Sequence, residues 1–361
     1  MRVATVFSGI GSPEQAIIKR YGKNNLDLIF ACDNGERELS LSKEEIDKQL
    51  LGLSEEEKQK RIKKIYQEEC GTNYIKKTYK KNYEIKESDF YEDIRFINGN
   101  LYRDNVDLFV GGSPCQSFSI LGKRGGLDDA RGTLFYEYAR LINEIKPRVF
   151  IYENVVGMIN HDKGKTWSTI KDIFSSLGYD IHYKVLDSED FEIPQKRRRI
   201  FVVGFIRQNT FVFPEGEKTN KTMFEFLEHK VGTIYYLGKK GFEFVTNPKY
   251  KNRAQVNKDI IRTQKANQQF NWNGDFVFEK FNEKKHTKEI LERAYLGEYN
   301  GTKGVIRKLT PRECARLMGF PDSYTFPVID MRAYRQIGNS IVVNVLEEIL
   351  KQIDLAGNVY E

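Results

Sequence analysis

Cysteine and histidine are scarce in this 361-residue chain, with four of each. Cys32, Cys70, Cys115 and Cys314 lie far apart and form no C-x-x-C pair, and His161, His182, His229 and His286 do not stand at zinc-ligand spacings. No metal site is expected. The thiols are expected to be reduced and mostly buried, so any reactive one must be recognised from its surroundings. No run of about 18 apolar residues is present to span a bilayer. The opening stretch Met1-Arg2-Val3-Ala4-Thr5-Val6-Phe7 lacks the apolar core and cleavage site of a secretory signal. The expectation is a cytoplasmic protein with no membrane partner. Internal repeats and low-complexity tails are also missing.

What is present suits a folded chain of one large and one smaller domain. Hydrophobic residues make up 40% and charged residues 30%. The formal charge of +7 is compatible with a polyanionic partner, although such a charge is common. Over the first 210 residues or so, short apolar runs at 3–7, 28–31, 108–110, 149–152, 181–186 and 200–205 read as strands. Amphipathic stretches at 134–145 and 166–177 lie between them. This alternation predicts an α/β fold with a mostly parallel sheet.

Residues 36–82 interrupt the rhythm with Lys and Glu. Ser42 with Glu45, and Ser54 with Glu57, match helix capping boxes. Two helices meeting near Gly52 are predicted, as a solvated and self-contained insert. From about 213 to 303 apolar runs shorten and side-chain amides and aromatics increase. Thr310-Pro311-Arg312-Glu313 then opens a helix, and 341–349 reads as another. The expected division is 1–212, 213–328, and a segment 329–361 that returns to the first domain.

Phe7-Ser8-Gly9-Ile10-Gly11-Ser12 follows a strand and precedes a helical pattern, where glycines let a ligand approach the backbone. Asp33 ends the next strand, in a position to bind a ribose hydroxyl pair. Asp93-Ile94 can bind and sandwich an adenine. The most informative segment is Gly111-Gly112-Ser113-Pro114-Cys115-Gln116, directly after the apolar strand at 108–110. It puts a thiol on a sharp turn at the sheet edge where sites of open α/β folds lie. Such a thiol is a nucleophile candidate if its pKa is lowered. Glu153-Asn154-Val155 ends the next strand at the same edge, and Gln195-Lys196-Arg197-Arg198-Arg199 opens a later one. A carboxyl and a basic cluster there suit a base's ring nitrogen and the backbone phosphates. Taken singly, each is also an ordinary cap acid or a solvated charge run.

The same order continues through Gly122-Lys123-Arg124-Gly125-Gly126, Arg131-Gly132-Thr133-Leu134-Phe135, Arg307-Lys308-Leu309-Thr310-Pro311-Arg312-Glu313, Met318-Gly319-Phe320-Pro321 and Gln336-Ile337-Gly338-Asn339-Ser340. In these motifs the chain resembles the carbon-5 cytosine DNA methyltransferases of bacterial and phage type. The resemblance covers nearly all but the 36–82 insert and the stretch from 213 to 303. It implies a Rossmann-like methyltransferase domain with a smaller target-recognition domain, S-adenosylmethionine as cofactor and double-stranded DNA as substrate. It also implies a monomer, with a restriction endonuclease as a companion that acts separately. Residue by residue, it implies Cys115 as the nucleophile at carbon 6 and Glu153 at ring nitrogen 3. Arg199 would touch the base carbonyl and support both, and Arg197 would face a phosphate. Phe7, Gly9, Ile10, Gly11, Asp33, Asp93, Ile94, Pro114, Asn339 and Ser340 would contact the cofactor. Gln116, Ser119 and Arg131 would meet DNA.

Three departures from the family pattern stand out. Arg198 replaces a frequent Glu and is expected to face outward. Leu121 replaces a small polar residue, and Asp33 replaces the more frequent Glu with a shorter reach. For sequence reading, Arg253, Arg262, Gln268 and Gln269 are candidates, because Arg pairs with guanine and side-chain amides with adenine in the major groove. An enzyme that methylates cytosine in transfer RNA would carry the same motifs and differ in the recognition segment.

Overall fold

The computed structural model describes residues 1–114 and 134–357. The chain forms two compact units. One comprises Met1–Leu186, Arg198–Glu215 and Val345–Glu361, and the other Asp187–Arg197 and Gly216–Asn344. The second unit therefore takes in Asp187–Arg197, upstream of the expected boundary at 213. The chain re-enters the first unit at Val345 rather than at 329.

The first unit is built on seven strands. They are β1 (Arg2–Val6), β2 (Asp27–Cys32), β3 (Phe90–Tyr91), β4 (Leu108–Gly111), β5 (Val149–Val155), β6 (Asp180–Asp187) and, after a short β7 (Gln195–Lys196) in the other unit, β8 (Arg198–Phe205). Their order in the sheet is β3-β2-β1-β4-β5-β8-β6. β1 pairs in parallel with β2 and β4, β4 with β5, and β2 with β3, whereas β8 runs antiparallel to β5. The apolar runs 108–110 and 149–152 are buried on both faces, which explains why they show no alternation. Phe109 stacks on Tyr138 of the helix Leu134–Ile145, and Phe135, Phe150, Tyr152 and Phe174 complete an aromatic core.

The insert forms the two expected helices, Lys43–Leu50 and Glu55–Cys70, each with its capping box. A third helix, Tyr74–Asn82, follows with Asn73 as its cap. The solvated, self-contained reading does not hold. Ile46, Leu50, Ile62, Ile65 and Tyr66 are buried together, and Phe96 from beyond the insert packs against them. At the other end of the chain the helix Val343–Leu355 docks by Asp354, which accepts from Arg20 Nε (2.8 Å), Arg20 Nη2 (2.5 Å) and Tyr21 Oη (2.7 Å).

In the second unit β9 (Ala254–Val256), β11 (Gly274–Lys280), β12 (Gly297–Tyr299) and β13 (Thr302–Lys308) form a sheet in the order β12-β13-β11-β9. A separate β10 (Ile261–Arg262) pairs with β7. Asn300-Gly301 joins β12 to β13, and the left-handed φ of both residues (50° and 72°) is what a two-residue hairpin needs. At the centre Arg307 is buried with two carboxylates. Its Nε donates to Glu279 (2.7 Å), and Nη1 and Nη2 donate to Glu313 (2.8 Å each). The capping box of Thr310 and Glu313 opens the helix Pro311–Arg316 as expected.

Candidate active site

The sheet order sets the site. β1 has β2 on one side and β4 on the other, so the connections leave in opposite directions and open a crevice at the strands' C-terminal ends. Val6 is in register with Cys32 and Gly111, and Gly111 with Tyr152. The register therefore brings Phe7–Gly11, Asp33, Gly112–Pro114 and Glu153 to one sheet edge.

The turn after β1 is left-handed at Phe7 (φ 52°), Gly9 (53°) and Gly11 (78°). The Ser8 N–H donates to Cys32 O (3.1 Å), the Gly9 N–H to Asp33 Oδ2 (2.9 Å) and the Gly35 N–H to Asp33 Oδ1 (2.8 Å). Burial, together with the charges of Glu36 and Glu92, pushes the Asp33 carboxyl up to about 6, against the pull of those two N–H groups. The two glycines of the turn do different work. A Cβ on Gly9 would meet nothing nearer than Phe7 O at 4.0 Å, so open space lies in front of it. A Cβ on Gly11 would strike the Tyr83 ring at 2.2 Å. Gly11 is thus needed for close packing against Tyr83. Ile10 is buried.

Asp93 and Ile94 are both buried. The Asp93 carboxylate already accepts from the Arg95 backbone N–H (3.0 Å), Arg95 Nε (3.0 Å), Arg95 Nη2 (2.6 Å) and Tyr66 Oη (2.8 Å). Those four donors are as many as the lone pairs of two carboxylate oxygens can take. Asp93 is held rather than free, and the turn Ile94–Phe96 is shaped around it.

Beside this pocket the chain approaches Cys115 through a fixed segment. Ser113 Oγ and Tyr152 Oη are 2.8 Å apart, and Asn154 Nδ2 donates to Ser113 O and to Tyr152 Oη (2.9 Å each). Gly112 lies against Glu153. A Cβ there would come 2.6 Å from the Glu153 carbonyl oxygen and 3.1 Å from its Oε2. Arg199 reaches Glu153 from β8, with Nε 3.1 Å from Oε1 and both side chains mostly buried. The antiparallel register, Val155 opposite Arg199, makes that pair. Pro114 is exposed at the end of this segment. Cys115, Gln116, Ser119, Leu121 and Arg131 lie outside the described residues.

Arg197 corrects an expectation. Its side chain is buried, donating from Nη1 to Gln264 O (2.8 Å) and from Nη2 to Gly338 O (3.1 Å) and Ser340 O (2.6 Å). A guanidinium enclosed by carbonyls cannot face a phosphate. It ties the Gln336-Ile337-Gly338-Asn339-Ser340 motif to the chain at 264–266, which crosses so closely that a Cβ on Gly338 would lie 2.2 Å from the Lys265 carbonyl carbon. In that motif Asn339 is exposed, while Ser340 is buried and donates to Gln336 O (2.8 Å). Arg198 is exposed and faces outward.

The recognition candidates divide. Arg253 is exposed and lies over the Phe244 ring. Arg262 spends its fork on the carbonyls of Asn252, Arg253 and Gly274. Gln268 and Gln269 are buried, and Gln269 Nε2 donates to Asp275 O (3.1 Å). Arg262 and Gln269 thus bond within the 252–275 stretch, and Gln268 is enclosed with them, which leaves Arg253 as the one of the four that is exposed. Gly112, Ser113 and Asn154 escaped sequence reasoning as positioning groups, although all three sit inside motifs. Tyr66 carried no signal at all, since a tyrosine on an amphipathic helix looks like any core residue.

Among the described residues, no helix is long and apolar enough to cross a membrane and no group of His, Cys, Asp or Glu is arranged to hold a metal. The family model of the C-5 cytosine-specific DNA methylases matches residues 48–355. The chain is 36% identical over 293 residues to the type II methyltransferase M.SsoII of Shigella sonnei, covering 78% of this chain and 71% of that one. It is 35% identical over 302 residues to M.HpaII of Haemophilus parainfluenzae, covering 78% and 82%. Its fold matches that of the Entamoeba histolytica methyltransferase EhMeth with a TM-score of 0.69 at 16% identity, over 99% of both chains.

Proposed function

As this chain belongs to the C-5 cytosine-specific DNA methylase family and is a DNA (cytosine-5-)-methyltransferase, we propose that it transfers the methyl group of S-adenosylmethionine to a flipped cytosine through a covalent Cys115 adduct. The observation that carries this reading is the Glu153–Arg199 pair packed against Gly112, three residues before Cys115 and at the sheet edge that holds Gly9 and Asp33.

The residues of the crevice fit the cofactor. Asp33 offers a carboxylate to a ribose hydroxyl pair, and the space in front of Gly9 admits a ligand next to it. When bound, S-adenosylmethionine supplies a methyl group on a sulfonium sulfur, an electrophile. Carbon 5 of cytosine is too weak a nucleophile to take it unaided. The Cys115 thiolate adds to carbon 6 while the Glu153 carboxyl gives its proton to nitrogen 3, which makes carbon 5 enamine-like. After methylation, a water molecule takes the carbon 5 proton, the carbon 5–carbon 6 double bond re-forms as the Cys115 thiolate leaves, and nitrogen 3 returns its proton to Glu153. Dividing one hard step into two is the gain from covalent catalysis. Arg199 holds Glu153 in place and offers its remaining N–H groups to the base carbonyl. The target atoms are stacked inside a duplex, so the base must be extruded at a cost of a few kcal/mol. Arg131, Gln116 and Ser119 are proposed to meet the DNA, and Arg253 to read it. The protein is proposed to act as a cytoplasmic monomer, with a restriction endonuclease as a separate companion.

The test is Cys115→Ala. Methyl transfer should vanish while cofactor and DNA binding persist, and bisulfite sequencing of DNA from an expressing host gives activity and site together. A variant that keeps a sizeable fraction of wild-type turnover would remove the covalent mechanism.

A further inference from the structure

We propose that the segment from Arg37 to Tyr83 is a brace for the cofactor pocket, and that the hydroxyls of Tyr66 and Tyr83 are its positioning groups. The inference rests on the reading of Gly9, Asp33 and Asp93 as the cofactor's surroundings. The segment reaches that pocket at three points. Tyr66 Oη donates to Asp93 Oδ2 (2.8 Å), and its ring lies under the Arg37 guanidinium (4.8 Å). Arg37 pairs with Glu92 and donates to the carbonyls of Asn34 (2.6 Å) and Gly71 (2.8 Å). Asn73 Nδ2 donates to Asp33 O (2.8 Å) and to Glu92 Oε2 (2.9 Å), while its Oδ1 caps the helix Tyr74–Asn82. Tyr83 Oη donates to Gly11 O (2.6 Å), with its ring filling the place a Cβ of Gly11 would occupy.

Every one of these side chains is buried or mostly buried. Their polar atoms therefore need internal partners, and the partners found are on the turns after β1, β2 and β3. Separate loops that must each keep one geometry are joined by a single cross-linked element. A hydroxyl on a buried carboxylate is a charge-assisted bond, among the stronger kinds. Removing it lets the Asp93 turn relax without emptying the site. The brace acts through Asp93 and the glycine turn and has no part in the transfer chemistry.

The experiment uses the full-length protein with Tyr66→Phe and Tyr83→Phe, each of which keeps the ring and loses only the hydroxyl. Calorimetry should give a Kd for S-adenosylmethionine raised about tenfold by Tyr66→Phe, the order expected for one lost hydrogen bond to a charged group. The Kd for duplex DNA, the methylated site, and kcat at saturating cofactor should stay at wild-type values. A purely structural role would lower the melting temperature and leave cofactor Kd unmoved. A cofactor Kd within about twofold of wild type, at any melting temperature, overturns the proposal. If Tyr66→Phe does not fold, Tyr83→Phe is judged by the same criteria. Asp33→Asn is run alongside. If it too leaves cofactor Kd unchanged, the reading of the pocket fails. If it weakens binding while both Tyr variants do not, only the brace fails.

Discussion

Asp33 gives the most direct quantitative test of the cofactor pocket. Its carboxyl is pushed from an ordinary 3.8 up to about 6 by burial and by Glu36 and Glu92. In the cofactor-free protein this raised pKa works against the charged form, so ionisation costs stability increasingly as pH climbs from about 4 to about 6. A ribose hydroxyl pair donating to the carboxylate reverses the preference. Cofactor affinity should therefore rise with pH through about 6 and level off above it. With a pKa of about 6, the ionised fraction is roughly nine-tenths at pH 7 and one-tenth at pH 5, so Kd should be about tenfold weaker at the lower pH. Calorimetry with S-adenosylmethionine and DNA-free protein between pH 5 and pH 8 reads this directly. Asp33→Asn should bind weakly at every pH and lose the slope. A wild-type Kd that stays flat from pH 5 to pH 7, or an Asn variant that keeps the slope, would refute the assignment of the ribose contact to Asp33.

The other expectations concern positioning, stability and sequence reading. Gly112→Ala should lower kcat by about a hundredfold or more, since displacing a catalytic group by about 1 Å has that scale of cost. Cofactor Kd should hardly change, and an unaffected kcat would show that Glu153 tolerates the 2.6 Å approach. Arg307→Met should destabilise the protein by about 3–5 kcal/mol in urea unfolding, because it leaves Glu279 and Glu313 buried without their shared cation. A loss below about 1 kcal/mol would mean that the carboxylates simply protonate. Arg253→Ala should cost about 1–3 kcal/mol at one base position and relax specificity there. Gln268→Ala should instead lower the melting temperature and leave the methylated sequence alone, and the opposite pattern would put the base-reading edge on the 262–275 loop.

Much of the first unit was legible in the sequence because its signals are local. The strands at 3–7, 28–31, 108–110, 149–152, 181–186 and 200–205 appear within a residue or two, or extended by up to three, since short stretches rich in apolar, aromatic and β-branched residues between turn residues leave the backbone few alternatives. Three capping boxes also formed as expected, each needing only residues three apart. The motif order carried the family, and with it Cys115 and Glu153 as the residues to examine.

What the sequence could not decide depends on partners distant along the chain. Arg197 and Arg199 are two residues apart in one basic run. Yet the first is enclosed by the carbonyls of Gln264, Gly338 and Ser340, and the second pairs with Glu153. Charge patterning cannot separate them, because the difference comes from which backbone closes over each guanidinium. Gln268 and Gln269 looked like base readers by composition, but the fold buries them. The insert looked solvated because its mixed charges hid the stripe of Ile46, Leu50, Ile62, Ile65 and Tyr66 that packs with Phe96. Sequence determines which groups are available and what each prefers locally. Only tertiary structure decides which of them remain facing water, because burial and hydrogen-bond closure are set by segments tens of residues away.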